Sequence, residues 1–298
     1  MSPQHAVPLS QHAVPLSEQI SLLRAAIAHG HVDATAHSNL GYALFQAEAI
    51  DEAISEFRAA LLLDDSHTAA RYNLAEALSR QGETSEALAL FQRIAAEHPE
   101  RETVRYRLAL AYLEDQDFTT AVEHLSALLA EAPQHQGAQL QLGYALLKLQ
   151  RWESAAESFR KVVQNEPQNA GAFFNLGYAY NQMARYDDSI WALQQALCIE
   201  PAAIDVWDTL AFALNGAGRH SEAALALEHA VQLDPLNANV FVRLGFTYAQ
   251  LGNLDAAETA YATALKIAPE HENAQASLEL LRRQRTPLPI PSTPQFLV

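Results

Sequence analysis

The residues of this chain that could do chemistry are few and scattered. His29, His31 and His37 are the closest group of imidazoles that a metal ion could use, but their spacing matches no known metal motif. The chain has no HExxH motif, no CxxC pair and no glycine-rich phosphate loop. The paired carboxylates Asp64–Asp65 and Asp187–Asp188 fall where helix ends are expected, and capping or solvated acids are ordinary there. We therefore predict that the protein is not an enzyme and uses no metal and no cofactor.

Hydrogen-bonding side chains recur along the chain at a constant step. Every 34 residues a polar side chain occupies the same column, which reads Asn39, Asn73, Arg107, Gln141, Asn175, Thr209 and Arg243. Most of these side chains can donate hydrogen bonds. Placed once per repeat, they could bind the backbone of an extended peptide, whose amide groups recur whatever its sequence.

The same step governs the apolar residues. Each polar residue of the column precedes a leucine, and the leucines are Leu40, Leu74, Leu108, Leu142, Leu176, Leu210 and Leu244. A small residue follows each leucine, and a proline closes six of the seven units. A fixed period of this length indicates one supersecondary unit copied in tandem, with each copy burying its apolar face on its neighbours.

The fifth unit shows what the supersecondary unit is. Between residues 170 and 182 the apolar residues fall three and four apart, which is one face of a helix, and a second such face follows near residues 187–199. Polar or glycine residues lie between the two faces, and the late proline does not allow the second helix to continue. The unit is therefore predicted to be an antiparallel helix pair.

These columns resemble the tetratricopeptide repeat family. The residues that carry the resemblance in the fifth unit are Phe173, Leu176, Gly177, Tyr180, Ser189, Leu193, Ala196 and Pro201, and the sixth repeats it with Trp207, Leu210, Ala211 and Ala223. The resemblance implies an all-α, right-handed superhelical solenoid of seven 34-residue helix–turn–helix repeats, with a concave groove lined by the first helices. We assign the repeats to residues 34–67, 68–101, 102–135, 136–169, 170–203, 204–237 and 238–271.

Two departures from the family pattern are noted. Asp65 stands where proline is expected, and larger side chains replace the usual small residue of the second helix at Ile94, Leu128 and Val162. We expect those larger side chains to loosen the stacking or to alter the curvature.

The flanks are predicted to cap the array. Residues 17–33 are assigned to an N-terminal capping half-repeat and residues 272–285 to a C-terminal capping helix, because an end repeat would otherwise expose its core. Residues 1–16 are expected to form a disordered arm, in which the heptapeptide 4–10 recurs at 11–17. That repeat indicates either a recent duplication or a doubled docking motif. The proline-rich tail, 286–298, either frays or docks in a groove, its own or a neighbour's.

The composition limits the partners. The net charge of −16 is unfavourable for binding nucleic acid or an anionic membrane surface. A single cysteine excludes an internal disulfide framework, and no apolar run is long enough to cross a bilayer. We therefore predict a soluble cytoplasmic protein with no direct membrane insertion.

The family geometry predicts which residues line the groove. From the polar column we predict partner contacts by Asn39, Asn73, Arg107, Gln141, Asn175 and Arg243. Two residues after the leucine, four aromatic residues would serve as anchors: Tyr144, Tyr178, Phe212 and Phe246. Two alternatives remain open. The asparagines could be present only because asparagine is common at this column in the family, and not because they bind a partner. The aromatic rings could pack between neighbouring first helices.

Arginines are concentrated in the second and third repeats, at Arg71, Arg80, Arg93, Arg101, Arg105 and Arg107. Guanidinium groups bind carboxylates and phosphates through paired hydrogen bonds, so the cluster could bind an anionic partner. Ion pairs at the surface with nearby Glu and Asp side chains of the chain itself also explain the cluster. A carboxylate clamp of the kind that holds chaperone C-termini would use Asn73 and Arg107. Its other three columns are not matched, because Ser38, Thr103 and Tyr42 occupy them.

The sequence therefore predicts a scaffold, adaptor or assembly factor that binds a segment of a partner protein in the concave groove. One alternative is a self-assembling homo-oligomer that places its tail or arm in a neighbour's groove. Another is a regulatory or targeting subunit of a separate enzyme.

Overall fold

The structure, a computed structural model, describes residues 14–99 and 101–285. The proline-rich tail and almost all of the predicted arm lie outside these residues. Within them are sixteen α-helices: α1 (Leu16–Ala28), α2 (Ala34–Gln46), α3 (Ile50–Leu63), α4 (Thr68–Gln81), α5 (Thr84–Glu97), α6 (Glu102–Glu114), α7 (Phe118–Glu131), α8 (Gln136–Lys148), α9 (Trp152–Asn165), α10 (Ala170–Gln182), α11 (Tyr186–Ile199), α12 (Ile204–Gly216), α13 (His220–Leu233), α14 (Ala238–Gln250), α15 (Leu254–Ile267) and α16 (Glu272–Arg285).

The helices follow the predicted register. The even-numbered helices α2 to α14 are the first helices of the seven pairs, and the odd-numbered helices α3 to α15 are the second. Helices α1 and α16 flank the array at the two ends predicted for capping helices. The all-α array of helix pairs is therefore confirmed, while the boundaries assigned to the individual repeats stay a prediction.

The chain divides into two compact units, one up to Ala138 and one from Gln139. In the first unit, the core includes Leu40, Phe57, Leu74 and Phe91, all 3% exposed or less. In the second unit, Leu176, Leu193 and Leu227 are fully buried. Each core combines the column leucines of first helices with large apolar residues of second helices, as the 34-residue step predicts.

Glycine lets the two helices of a pair approach closely. A Cβ atom at Gly177 of α10 would lie 2.6 Å from Cγ of Leu193 on α11, and at Gly41 it would lie 2.7 Å from the Phe57 ring. Real Cβ atoms do not tolerate such distances, so the small column exists for contact with the second helix. Ser189 adds a buried hydrogen bond across the same pair, donating from Oγ to the Gly177 carbonyl at 2.8 Å.

The turn inside every pair uses the left-handed backbone conformation. Eight residues after each column leucine, φ is positive, at Glu48, Gly82, Gln116, Gln150, Ala184, Gly218 and Gly252. Only three of these residues are glycine. At the other four positions the chain accepts a conformation that side chains disfavour, because the tight return of the second helix onto the first requires it.

The second helices end at the same register with or without the proline. Helix α3 ends at Leu63, although Asp65 replaces the proline that follows the other second helices, such as Pro99 after Glu97. Asp65 is instead tied to two arginines: its carbonyl accepts from the Arg71 side chain, and its carboxylate pairs with Arg93. The larger side chains at the usually small position of the second helix are buried, with an exposed fraction of 2% or less at Ile94, Leu128 and Val162.

Candidate partner-binding surface

Within the described residues, the candidate histidines and paired acids take part in local contacts. Within residues 14–99 and 101–285, no group of three or more His, Cys, Asp or Glu side chains is arranged to hold a metal ion. His37 lies with its Nδ1 2.6 Å from Oε2 of Glu56, an ion pair when the imidazole is protonated. Asp64 accepts hydrogen bonds from the backbone and hydroxyl of Ser66, and these bonds lower the pKa of its carboxyl. These groups serve local structure.

The polar column of the first unit has two kinds of residue. Asn39 is exposed and Asn73 is half-buried, and neither amide is hydrogen-bonded within the described chain. Arg107 instead pairs with Glu76 of the preceding first helix, with its Nε 3.0 Å from Oε1. Burial raises the pKa of Glu76, and the charge of Arg107 opposes that rise. The asparagines are available to a partner, whereas Arg107 already has one.

The second unit repeats this division. Gln141 and Asn175 are half-buried, with amides that no other described residue binds. Arg243 of α14 pairs with Asp208 of α12, with its Nη1 2.7 Å from Oδ2. Thr209 donates its hydroxyl to the Asp205 carbonyl at 2.7 Å. The arginines and the threonine of the polar column therefore already bind other residues of the chain, whereas its asparagine and glutamine amides do not.

The predicted anchor rings are exposed. Tyr144 and Tyr178 are each 39% exposed, and Phe212 and Phe246 are 52% and 49% exposed. Their neighbours touch only part of each ring: the Tyr178 ring meets the edge of Trp152 at 6.4 Å, and the Lys148 ammonium lies 5.1 Å from the centre of Tyr144. The four rings are therefore partly packed and partly exposed, and their contact with a partner stays a prediction.

Three first helices of the second unit enclose a cleft that gathers several of these residues. The α10–α12–α14 cleft has a volume of about 690 Å³ and is lined by Phe174, Tyr178, Asn181, Gln182, Asp205, Asp208, Thr209, Phe212, Arg243 and Phe246. Four predicted site residues meet there, namely Tyr178, Phe212, Arg243 and Phe246. A second cavity of about 500 Å³ shares Phe212, Arg243 and Phe246 and extends to Gly216 and Val242. The remaining predicted residues do not line this cleft.

Two cleft residues were missed by sequence reasoning. Asn181 is only 6% exposed, and its Nδ2 donates to the Thr209 carbonyl at 3.3 Å. Asp208 is partly buried, and burial raises the pKa of its carboxyl although Arg243 opposes the rise. The signal was present in the columns: Asn181 occupies a position that is apolar in most repeats, and Asp208 interrupts a column that is mostly aromatic or apolar.

Most arginines of the cluster are engaged in contacts within the chain. Arg71 is 1% exposed and binds Glu97, and Arg93 binds both Asp65 and Glu97. Arg71 thus pairs with a nearby acid as expected, but it does so from a buried position, because it occupies the column of Phe173 and Trp207. From that column four side chains of three residue types donate to the carbonyl six residues earlier: Arg71 to Asp65, Arg105 to Pro99, Trp207 to Pro201 and Gln275 to Pro269.

The fold and the surface together define a class of protein, the tandem helix-pair repeats with exposed polar and aromatic side chains on their first helices. Comparison with known families identifies which one. Two family profiles described as tetratricopeptide repeat match residues 44–111, 106–170, 140–204 and 214–281. The chain belongs to the tetratricopeptide repeat family, and the resemblance that the columns indicated is confirmed.

Solved structures agree with that fold. A tetratricopeptide repeat protein from Parabacteroides merdae is 20% identical, with a TM-score of 0.60 over 84% of this chain and 98% of its own. YrrB, described as a TPR protein with an unusual peptide-binding site, is 20% identical, with a TM-score of 0.57 over 63% of this chain and 97% of its own. MamA AMB-1 is 26% identical, with a TM-score of 0.53 over 58% of this chain and 94% of its own.

No curated protein matches the sequence. None of the helices within the described residues is long and apolar enough to cross a membrane.

Proposed function

We propose that this protein is a non-enzymatic scaffold that binds a segment of a partner protein along the exposed faces of its first helices. The observation that carries the proposal is the recurrence of half-exposed aromatic rings on first helices, with Tyr178, Phe212 and Phe246 meeting in one cleft. Aromatic side chains that are rigid and partly exposed are the usual anchors of protein interfaces, because they offer a large contact area at a small entropy cost.

The amide side chains supply the second part of the recognition. Asn39, Asn73, Gln141 and Asn175 recur one per repeat and have hydrogen-bonding capacity left over. An asparagine or glutamine amide offers both a donor and an acceptor, which matches the backbone of an extended segment. The amides would hold the segment and the rings would select its side chains.

An adaptor or assembly factor in the cytoplasm is the role that we assign to this scaffold. The family supports a protein-interaction role, and the acidic net charge of −16 makes basic segments the favoured partners. Subcellular fractionation of the native host tests the location.

The two alternative functions remain open. Self-assembly through the arm or tail concerns residues outside those that the structure describes. A targeting or regulatory subunit would use the same surface, with an enzyme as the partner. Size-exclusion chromatography of the intact chain and of a chain ending at residue 285 tests the first alternative.

A pull-down from native lysate tests the proposal. The variant Phe212→Ser/Phe246→Ser removes two anchors, and Leu62→Ser/Leu236→Ser is the matched control. Those two leucines are 90% and 75% exposed but lie outside the first helices. We expect the partner to be lost with the anchor variant and kept with the control. If the anchor variant keeps the partner, the binding surface lies elsewhere and the proposal is wrong.

A further inference from the structure

Two buried oxygen atoms of the α10–α12–α14 cleft lack a hydrogen-bond donor. Oδ1 of Asn181 and Oδ1 of Asp208 are shielded from water, and neither accepts a hydrogen bond within the described chain. The amide of Asn181 is oriented by its donation to the Thr209 carbonyl, which leaves Oδ1 as the unused end. Buried acceptors are nearly always satisfied in proteins, so an unsatisfied pair in one cleft requires an explanation.

The carboxylate of Asp208 uses only part of its accepting capacity. Arg243 binds Oδ2, but its side chain is 48% exposed, so water screens part of its attraction for the carboxylate. Burial raises the pKa of the Asp208 carboxyl despite this arginine, and the charge of Asp205 adds to the rise. A carboxylate in such an environment would gain from a further cationic donor. Rotation about its terminal torsion, which is broad, would present the unused oxygen.

The walls of the cleft are suited to a cation. Phe174, Tyr178, Phe212 and Phe246 contribute rings, and the faces of aromatic rings attract ammonium and guanidinium groups. The cleft volume of about 690 Å³ accommodates a long side chain. The charged residues of the lining are Asp205, Asp208 and Arg243, so acids outnumber bases there as they do in the whole chain.

We propose that the α10–α12–α14 cleft binds a cationic side chain, arginine or lysine, of the partner segment, with Asp208 and Asn181 as its acceptors. This inference rests on the proposed function and specifies what the partner presents. The entering cation competes with Arg243 for Asp208, so Arg243 lowers the affinity of the cleft for that cation. An acidic side chain is disfavoured, because Arg243 is already neutralised by Asp208.

A titration with small probes tests the inference without knowledge of the partner. The probes are acetyl-arginine amide, acetyl-lysine amide, the uncharged acetyl-citrulline amide and the acidic acetyl-glutamate amide. The readout is the set of backbone and Asn181 side-chain amide resonances of the ¹⁵N-labelled full-length chain. We expect saturable shifts around the cleft with a cationic probe, at a dissociation constant of about 1 mM for molecules of this size. The lower of the two dissociation constants, for arginine or for lysine, identifies the cation that the cleft prefers.

Two variants with opposite expected effects make the test specific. Asp208→Asn keeps the shape of the side chain but removes its charge, and we expect about tenfold weaker binding of the cationic probe. Arg243→Gln removes the competitor, so we expect tighter binding. Glu76→Gln is the matched control, because Glu76 forms the corresponding half-buried pair with Arg107 in the first unit. We expect it to bind the probe as the unaltered chain does.

Several outcomes would overturn the inference: citrulline binding as well as arginine, glutamate binding better than either cation, or no saturable shift in the cleft. Equal affinities for Asp208→Asn and the unaltered chain would do so as well. Each of these outcomes leaves the proposed function in place if the Phe212 and Phe246 variant still loses the partner. Retention of the partner by that variant is the separate failure of the proposed function.

Discussion

At the scale of single residues, Asp208 shows a carboxylate that is kept at a cost to stability. Its folded-state pKa is raised by burial, and the unfolded chain titrates near the ordinary value of about 3.9. The folded protein therefore binds a proton more tightly than the unfolded chain does. Between the two pKa values stability falls as the pH rises, and above both the loss is complete.

This direction predicts the behaviour of Asp208→Asn. We expect the variant to be more stable than the unaltered chain at pH 7, with the difference shrinking as the pH falls through the raised folded-state pKa and disappearing below about 3.9, as the carboxyl becomes protonated in the unfolded chain as well. Urea denaturation across this pH range measures it. Asp64→Asn is the control with the opposite sign, because Ser66 lowers the pKa of Asp64, so that variant should lose stability at pH 7. A variant at 208 that is less stable at pH 7 would show that its pairing with Arg243 outweighs burial.

Gly177 gives a second prediction at this scale. Gly177→Ala places a methyl group 2.6 Å from Leu193, so we expect a loss of about 1–3 kcal/mol in the free energy of unfolding. Gly171→Ala, on the same helix, meets no atom closer than 3.7 Å and should instead be neutral or stabilising by up to about 1 kcal/mol, because alanine favours a helix. Chemical denaturation of both variants measures the difference. Equal effects would mean that the close approach of α10 and α11 is not tight.

At the scale of elements, the turn inside each helix pair is where the repeat adopts a positive φ, and this costs energy where the residue is not glycine. Ala184 adopts φ 54° in a position where Gly218 and Gly252 adopt φ 75°. A side chain with a Cβ atom disfavours this region by about 1 kcal/mol or slightly more, a cost that glycine does not have.

We therefore expect Ala184→Gly to stabilise the protein by up to about 1 kcal/mol, and Gly252→Ala to destabilise it by a similar amount. Differential scanning calorimetry of the two variants measures both. A decrease in melting temperature for Ala184→Gly would indicate that the lost side chain, or the added freedom of the unfolded chain, matters more than the relieved strain.

The elements also show how far sequence reasoning reached. The helix pairs followed from local patterns, because the leucine column and Gly177 define one buried face without reference to distant residues. The role of Arg71 did not follow, since its burial depends on Asp65 in the turn before its helix and on Glu97 of α5. Asn181 and Asp208 escaped notice for the same reason: only the packing of α10, α12 and α14 shows that both residues line one cleft.

The aromatic residues illustrate a different limit. Their column predicted which side of the first helix they occupy, but the degree of exposure depends on neighbouring helices. Phe212 is 52% exposed, whereas Tyr180 is only 7% exposed. Tyr180 lies on α10, two residues after Tyr178. Whether the exposed rings contact a partner is a property of an interface, and that part of the site stays a prediction.

At the scale of the whole molecule, the net charge of −16 is the dominant electrostatic property. Like charges repel in the folded state, and added salt screens this repulsion over a distance of about 10 Å at 0.1 M. The exposed ion pairs, such as Arg58 with Glu86, contribute little in comparison because both side chains are solvated.

The melting temperature should therefore rise when sodium chloride is raised from low to physiological concentration. Thermal unfolding at constant pH in a salt series measures it. A melting temperature that falls with salt would show that the ion pairs between helices stabilise the protein more than its net charge destabilises it.

Site-specific photo-crosslinking shows whether partners bind on the exposed first-helix surface. The photoreactive residue benzoylphenylalanine would replace Phe212, Phe246 or Tyr178 in separate full-length proteins, and Leu62 or Leu236 in the controls. We predict one shared crosslinked partner for the three first-helix positions and none for the two leucine positions in native lysate. Crosslinks from Leu62 or Leu236 to that partner, with none from the three aromatic positions, would contradict the account.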